Sequence, residues 1–483
     1  MSEPQMLDEL GEAATLGVSA RVPGESFDKQ QQAKNAAPPQ SGGDSKMLQP
    51  AGSAQQEKSV INAPPEKAEN RQPEGNGQRR ELSNKEVTDH TAGLWRYVPI
   101  PEDEPEPAPE YKMYDTSLPG ARVIGARVRG KKHKHEGSNC DDWFEVAGSG
   151  DVTFLAVSDG AGSKKFSRIG ARESCKAAVG YLANQFGALT AAVPTLREDL
   201  KNDIQDVKCR EACGRIAMLV QNAVLQAWDA VEAAFYSRAT DAAYSDVLKR
   251  SLALSDLSGT LLVSVVVPIR KETKEYLIAA CQIGDGMVAV VNSAGPFQSS
   301  LKLLGVPDSG DFSGETDFLT SAKMKKREEL QKRTKLSIGA ADTLLMMSDG
   351  VADDYFPNET QLRRLYYDLI ANGILRDGAQ TGGLSELSPD QLSLFKHIPD
   401  PIAYPWINDK TIKIPIHYTN RICDAMGLSY EELWERRDIL TLASLELKDK
   451  DTLSNDAERL CLWLDNYYER GSFDDRTLVI AEL

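Results

Sequence analysis

Short apolar runs, several of which end or begin at aspartate residues, constrain the fold of this chain more than any other feature. Each run has the length and the β-branched content of a buried strand and is too short for a helix. The predicted strands are Val152–Ser158, Thr260–Pro268, Tyr276–Ile283, Met287–Asn292, Thr343–Ser348 and Thr477–Glu482.

Longer amphipathic stretches between and after these runs predict helices. They cover Ile169 to Phe186, Leu196 to Ala239, a segment that begins after Pro357, and Asp456–Tyr468. Two helices are thus inserted into a succession of strands, and the strands then return as hairpins. Regular alternation of strands and helices would predict a parallel sheet, whereas this order favours an α+β fold in which helices cover antiparallel sheets.

The N-terminal part of the chain has a different composition. Residues 1–94 contain one aromatic residue, Phe27, and are rich in Gln, Pro, Ser, Gly, Glu and Lys. Such a segment buries too little apolar surface to offset the entropy of ordering, so we predict a disordered tail. The acidic, proline-rich stretch 99–110 extends it as a linker, which leaves residues 111–483 for one folded domain. The tail serves either as a tether or as a docking arm for a partner.

Charge and hydropathy exclude several classes of protein. The 72 acidic residues outnumber the 56 basic ones, and the net charge of −16 opposes general binding to nucleic acid or to anionic lipid. No apolar run is long enough for a transmembrane span, and the acidic N-terminus lacks the features of a secretory signal. Seven scattered cysteines indicate reduced thiols, and hence a cytoplasmic protein.

Aspartates at the ends of predicted strands carry the candidate chemistry. Asp159-Gly160 and Asp349-Gly350 each follow an apolar strand, whereas the pairs Asp141-Asp142 and Asp474-Asp475 each precede an apolar stretch. Carboxylates that converge in this way repel one another unless a cation neutralises them. A hard divalent cation prefers oxygen ligands, and the five histidines and the cysteine spacing argue against zinc.

Six motifs in this order resemble those of the metal-dependent Ser/Thr protein phosphatases of type 2C, in a bacterial-type variant. The motifs are RGKKHKHEGSNCDD (129–142), VSDGAGSKKFSRIGA (157–171), DLSGTLLVSVVV (256–267), CQIGDGMVAVV (281–291), LLMMSDGVADD (344–354) and DDRTLVI (474–480). The resemblance implies a four-layer αββα sandwich of two antiparallel sheets flanked by helices, with metal ions at one edge of the sheets.

The resemblance also implies a role for each matching residue. Asp159 would bridge two Mn²⁺ or Mg²⁺ ions, and the backbone carbonyl of Gly160 would bind one of them. The other implied members of the metal site are Asp141, Asp142, Asp349, Asp474 and, at a third and weaker ion, Asp256 and Asp353. Asp159 and Asp142 are the residues expected to act in catalysis.

The implied reaction is hydrolysis of phosphoserine and phosphothreonine in proteins by a metal-activated water, without a covalent intermediate. The implied partners are a phosphorylated protein and a cognate Ser/Thr kinase. Two features depart from the family: Ala161 replaces a histidine, and the basic loop before Asp141 is shifted, so Arg129 or His133 is expected to bind phosphate. A phosphatase-like adaptor without turnover and a phosphohydrolase for small molecules remain alternatives.

The region 374–450 is unlike the six motifs. It has aromatic residues among prolines, including Tyr404 and Trp406, followed by short helical stretches. We predict an insertion that packs near the active edge. It would either influence the choice of substrate or only cover the core.

Overall fold

The computed structural model describes residues 5–6, 96–307, 316–376, 402–403, 411–412, 416–448, 453–466 and 473–483. The predicted disordered tail, residues 1–94, lies outside the described residues except for Gln5–Met6. Tyr404 and Trp406 of the predicted insertion also lie outside them.

Two six-stranded antiparallel sheets form the centre of the domain. The strands in chain order are β1 (Gln5–Met6), β2 (Tyr111–Ser117), β3 (Arg122–Val128), β4 (Trp143–Ser149), β5 (Val152–Ser158), β6 (Leu261–Arg270), β7 (Glu275–Ile283), β8 (Met287–Val291), β9 (Leu301–Leu303), β10 (Thr334–Ala340), β11 (Thr343–Met347), β12 (Ile402–Ala403), β13 (Thr411–Ile412) and β14 (Arg476–Glu482). The first sheet has the order β1-β10-β7-β6-β5-β4, and the second has the order β2-β3-β14-β11-β8-β9. β12 and β13 pair separately.

The central strands are apolar on both faces because both faces are covered. In β5, Phe154 and Ala156 point into the core beneath the helices, whereas Leu155 and Val157 point into the core between the sheets. β11 of the second sheet alternates in the same way. This explains why these strands appear in the sequence as continuous apolar runs rather than as alternating ones.

Helices form the two outer layers. The helices in chain order are α1 (Lys131–Glu136), α2 (Ser167–Ala192), α3 (Leu196–Asp199), α4 (Val207–Arg238), α5 (Ala242–Leu248), α6 (Arg327–Arg333), α7 (Asp349–Ala352), α8 (Asn358–Ala371), α9 (Thr419–Met426), α10 (Tyr430–Glu435), α11 (Asp438–Lys448) and α12 (Asp456–Asn466). α2 and α4 cover the first sheet, while α8 to α12 cover the second. The predicted α+β fold with four layers is confirmed.

The predicted helix from Leu196 to Ala239 is wrong in one respect, because the structure divides it into α3 and α4. The side chain of Asp206 accepts a hydrogen bond of 2.7 Å from the backbone N–H of Lys208 and so caps the start of α4. An aspartate in this position satisfies one of the free N–H groups of a new helix, which favours a break before it.

Residues 96–110, hereafter the strap, include the stretch 99–110 that was predicted as an extended linker, but they lie against the domain. Glu104 is buried and forms ion pairs with Arg168 at 2.9 Å and with Lys165 at 3.1 Å. Glu106 accepts hydrogen bonds from Arg172 and Arg238. Because these cations neutralise the acidic residues of the strap, the segment can pack where its composition alone predicts solvation.

The described part of the 374–450 region contributes α9, α10 and α11 to the outer layer of the second sheet. The buried carboxylate of Asp368 in α8 accepts hydrogen bonds from the backbone N–H of Thr419 at 2.8 Å and from the hydroxyl of Tyr355 at 2.7 Å. This bond network attaches the start of α9 to α8. None of the described helices is long and apolar enough to span a membrane.

Candidate metal centre

Three aspartates from three strand ends meet at one edge of the two sheets. Asp159 follows β5, Asp349 follows β11, and Asp285 lies in the turn between β7 and β8. Each residue offers a carboxylate oxygen, and these oxygens lie within 4.8 Å of one another. The sheets therefore gather negative charge that is far apart in sequence.

Mutual repulsion and burial perturb these carboxyl groups strongly. Desolvation, followed by the charge of Asp349, holds the pKa of Asp159 well above its usual range. Desolvation and the charge of Asp285 do the same to the pKa of Asp349. Asp474 lies close enough to raise both values. Carboxyl groups whose pKa values are shifted this strongly by burial and by one another are typical of a functional site.

Asp353 lies one turn after Asp349 and is exposed. Desolvation and the charge of Asp285 raise the pKa of Asp353, so Asp353 lies close to the aspartates of the cluster. The predicted members Asp159, Asp349, Asp353 and Asp474 are thus brought together.

Several buried oxygens at this edge lack a hydrogen-bond donor among the described residues. They are Oδ1 of Asp141, Oδ1 of Asp142 and Oδ1 of Asp285. A buried carboxylate oxygen without a partner is costly unless a cation binds it. Hard divalent cations prefer such oxygens, so the residues present fit Mn²⁺ or Mg²⁺.

Asp142 is held by hydroxyl groups from two strand ends of the second sheet. Its Oδ2 accepts hydrogen bonds from Ser348 at 2.8 Å and from Thr477 at 2.6 Å. Desolvation and the charge of Asp475 raise the pKa of Asp142 to about 7, although these hydroxyls and the carboxyl group of Asp159 oppose the rise. The orientation of Asp142 is fixed, while its Oδ1 stays available to a ligand.

Asp141 is also buried, and its backbone N–H donates to Asp475 at 2.5 Å. Desolvation and the charge of Asp475 raise the pKa of the Asp141 carboxyl group to about 8, and His133 and Arg168 partly oppose them. Asp142 raises the pKa values of Asp159 and Asp349 and so lies close to them, whereas Asp141 lies beside Asp475 and His133.

Gly160 is required by a close approach of two backbone segments. A Cβ at this position would lie 2.7 Å from the carbonyl oxygen of Asp141 and 2.9 Å from the side chain of Ser167. The turn after β5 therefore packs directly on the segment that carries Asp141 and Asp142.

Asp256 is not brought into the cluster, which corrects the sequence prediction. Its carboxylate forms two hydrogen bonds of 2.6 Å with Arg250 and accepts a third from the backbone N–H of Ala253. Both oxygens are therefore occupied by donors, and a bidentate arginine pair of this kind is strong.

Arg129 is not available to bind phosphate, contrary to prediction. Its side chain is fully buried, pairs with Glu110 at 2.9 Å and donates to the carbonyl oxygens of Val98 and His133. The strap and α1 thus use this guanidinium for packing.

His133, the other predicted phosphate ligand, is buried as well. Its Nδ1 lies 2.8 Å from the carboxylate of Asp475, and its Nε2 lies 3.8 Å from that of Asp474. Burial opposes protonation of the ring, but Asp475, Asp141 and Asp474 outweigh it and raise the pKa of His133 to about 9. The side chain is therefore committed to aspartates rather than to a substrate.

Two residues of the site were missed as functional residues. Asp285 lies in the Gly284-Asp285-Gly286 turn, which the sequence analysis noted only as part of a hairpin motif. The same construction, an apolar strand that ends in Asp-Gly, identified Asp159 and Asp349 and would have identified Asp285. Asp475 was noted beside Asp474 but received no role, and no local pattern distinguishes the two.

A family model described as "Protein phosphatase 2C" matches residues 129–380, which is more than half of the chain. The chain belongs to the protein phosphatase 2C family. The match includes the segments that carry Asp141, Asp142, Asp159, Asp285 and Asp349. The resemblance inferred from the motifs is therefore confirmed.

Several solved structures are similar to this protein phosphatase 2C chain at low identity. A bacterial serine phosphatase is 14% identical, with coverage of 74% of this chain and 96% of its own and a TM-score of 0.32. The serine/threonine phosphatase Stp1 from Staphylococcus aureus is 12% identical, with coverage of 80% and 98% and a TM-score of 0.31. The photosystem II phosphatase PBCP is 12% identical, with coverage of 75% and 99% and a TM-score of 0.30. No curated protein matches the chain.

Proposed function

We propose that this chain is a metal-dependent phosphatase that removes phosphate from phosphoserine and phosphothreonine in proteins. The observation that carries the proposal is the convergence of Asp159, Asp285 and Asp349, whose carboxylate oxygens lie within 4.8 Å of one another. A protein that only binds a phosphorylated partner has no use for so repulsive a cluster. Membership of the protein phosphatase 2C family supports the same activity.

Two or three Mn²⁺ or Mg²⁺ ions would be held by Asp159, Asp349, Asp285 and Asp474, with the backbone carbonyl of Gly160. Asp353 and the Asp141-Asp142 pair would complete the surroundings. When bound, paired divalent cations neutralise phosphoryl oxygens and lower the pKa of water. The strands that carry Asp159 and Asp349 hold these carboxylates rigidly, which the reaction needs.

Asp142 is the residue of this chain best placed to hold a proton during the reaction. Its Oδ2 is fixed by two hydroxyl groups, while its Oδ1 has no donor among the described residues. Burial and the charge of Asp475 raise the pKa of Asp142 to about 7, which supports a role for this group in proton transfer. Ala161 has no ionisable group that could hold or transfer a proton.

The substrate class and the partners follow from the family resemblance. The substrate would be a phosphorylated protein, and the partner a Ser/Thr kinase whose products the enzyme reverses. The seven cysteines all lie in the described part of the chain, are buried and form no disulfide, which suits the reducing cytoplasm. Arg129 and His133 are paired with Glu110 and Asp475, so other residues would contact the phosphate group of the substrate.

The decisive experiment is hydrolysis of a phosphothreonine peptide by the full chain with Mn²⁺, with Mg²⁺ and with chelator. We expect turnover that requires a divalent cation and that Asp159→Asn abolishes. The exposed Asp229 of α4, changed to Asn, provides the matched control and should leave turnover intact.

Failure of the wild-type protein to hydrolyse the peptide with either metal would overturn the proposal. Tight binding of the peptide without turnover would then favour the adaptor. Hydrolysis of para-nitrophenyl phosphate and nucleotides, but not of the peptide, would favour a phosphohydrolase for small molecules.

A further inference from the structure

One buried carboxylate connects the two chain segments that flank the metal centre. Oδ1 of Asp475 accepts a hydrogen bond of 2.6 Å from the backbone N–H of Gly130. Oδ2 accepts a bond of 2.5 Å from the backbone N–H of Asp141 and lies 2.8 Å from Nδ1 of His133. The side chain of Asp475 is 1% exposed and that of His133 is 4% exposed.

The packing of the backbone around this carboxylate is equally close. A Cβ on Gly130 would lie 2.3 Å from the backbone carbon of Asp474, so only glycine fits there. The backbone N–H of Lys132 donates to the carbonyl oxygen of Phe473 at 2.9 Å. Residues 130–133 and residues 473–475 are thus joined along their length.

His133, Asp474 and Asp475 together have the composition of a cation site, since each offers a ligand atom within 4.8 Å of the others. The hydrogen bonds argue against that role. Both oxygens of Asp475 already face N–H donors, and a donor hydrogen excludes a cation from the same lone pair. His133 and Asp475 therefore form a hydrogen-bonded unit beside the metal centre, whereas Asp474 is one of the residues that would hold the cations.

The pair of His133 and Asp475 holds the backbone beside carboxylate oxygens that have no donor among the described residues. Asp475 fixes the backbone of Asp141, and the neighbouring Asp142 keeps an Oδ1 without a donor among the described residues. On the other side, the backbone N–H of Asp475 donates a hydrogen bond of 2.9 Å to Oδ1 of Asp474. The bond between His133 and Asp475 therefore supports the backbone that carries Asp141 and Asp142 on one side and Asp474 on the other.

We propose that His133 and Asp475 form a positioning pair that orients Asp141, Asp142 and Asp474 toward the bound cations. Neither residue of the pair is a ligand or touches the substrate. The inference rests on the proposed function, because it assumes that cations bind at the cluster. Outer partners of this kind usually contribute about 10-fold to 100-fold to metal affinity.

The test measures the affinity of the full chain for Mn²⁺ by titration calorimetry, together with kcat. His133→Ala should weaken Mn²⁺ binding by about tenfold or more. His133→Asn retains a donor near the position of Nδ1 and should stay within about threefold of wild type. His135→Ala, on the exposed side of the same short helix, is the matched control and should leave the affinity unchanged.

Two outcomes would overturn the inference alone: His133→Ala binds Mn²⁺ as tightly as wild type, or His133→Asn loses as much affinity as His133→Ala. If His133→Ala does not fold, Asp475→Asn takes its place, and undiminished affinity in that variant contradicts the pair. A wild-type protein that binds no Mn²⁺ overturns the proposed function as well, so the two failures are distinguishable.

Discussion

The hydroxyl of Thr477 donates a hydrogen bond of 2.6 Å to the carboxylate of Asp142, although 335 residues separate them in sequence. The bond joins the start of the last strand of the second sheet to the segment that leads into β4 of the first. One edge of the sandwich is therefore assembled from both ends of the domain. Its stability and its chemistry depend on the same few polar contacts.

Replacement of Thr477 by Val should test the structural part of this contact. Valine keeps the shape of the side chain but leaves a buried carboxylate with one donor fewer. We expect the free energy of unfolding to fall by about 1–3 kcal/mol, as measured by urea denaturation in the presence of chelator. Thr190→Val removes a hydroxyl bonded to backbone carbonyl oxygens near the end of α2 and should cost clearly less. Equal losses in the two variants would contradict a special role for Thr477.

Replacement of Asp349 by Asn should stabilise the protein without metal at high pH. Burial and the neighbouring Asp285 raise the pKa of Asp349, so its contribution to stability is complete below pH 3.8 and is lost as the pH rises through the folded value. Near pH 8.5 in chelator, we expect the free energy of unfolding of Asp349→Asn to exceed that of wild type by about 1–3 kcal/mol. The difference should shrink toward about pH 4.

Metal should reverse this order. Added Mn²⁺ stabilises a folded state that binds it, so wild type should gain more in melting temperature than Asp349→Asn. If Asp349→Asn were less stable than wild type in chelator at pH 8.5, the carboxylates of the cluster would not repel one another.

Asp368 should make the outer helical layer of the second sheet sensitive to pH. Desolvation raises its pKa from 3.8 to about 6, against the hydrogen bonds from Thr419 and Tyr355. The folded state therefore retains a proton that the unfolded chain releases, and stability falls as the pH rises from about 4 to about 6. Comparison of urea denaturation at pH 4 and pH 7 should show a smaller loss of stability in Asp368→Asn than in wild type. An identical pH dependence in both proteins would rule out this contribution.

Replacement of Glu106 by Gln should loosen the strap. Three groups, Arg238, Tyr244 and Arg172, lower the pKa of Glu106 to about 2 against the opposing effect of desolvation. Ionised Glu106 therefore stabilises the folded state fully above pH 4.5, and this stabilisation is lost as the pH falls through about 2. Because the ion pairs are partly exposed, we expect a loss of only about 1 kcal/mol that shrinks further in high salt.

Hydrogen exchange of the amides of residues 96–110 measures this effect directly. Exchange should accelerate in Glu106→Gln and remain unchanged in Glu211→Gln, an exposed glutamate of α4. Unchanged protection of the strap in Glu106→Gln would mean that Glu104 and its partner Arg168 hold the segment without help.

Local sequence determined the strands and the ends of those strands that carry the chemistry. The run Val152–Ser158 is apolar except for a threonine and the final serine, which predicts a strand covered on both faces, and the structure buries every position within the predicted bounds. An aspartate followed by glycine stops such a strand and turns the chain, which located Asp159 and Asp349. Strands β2 and β3 escaped prediction because they mix half-exposed positions, a glycine and arginines with the apolar ones.

Tertiary structure alone decided which of the acidic and basic residues face the metal centre. Asp256 and Asp285 both lie beside core strands, but Arg250 pairs with the first, whereas the second meets Asp159 and Asp349. Arg129 has the sequence context of a phosphate ligand, yet Glu110 of the strap neutralises it in the interior. A charged side chain turns toward whichever partner lowers its desolvation cost, and that partner comes from a distant part of the chain. Local pattern therefore specified where the carboxylates sit along the chain, and only the packing of the two sheets specified which of them meet.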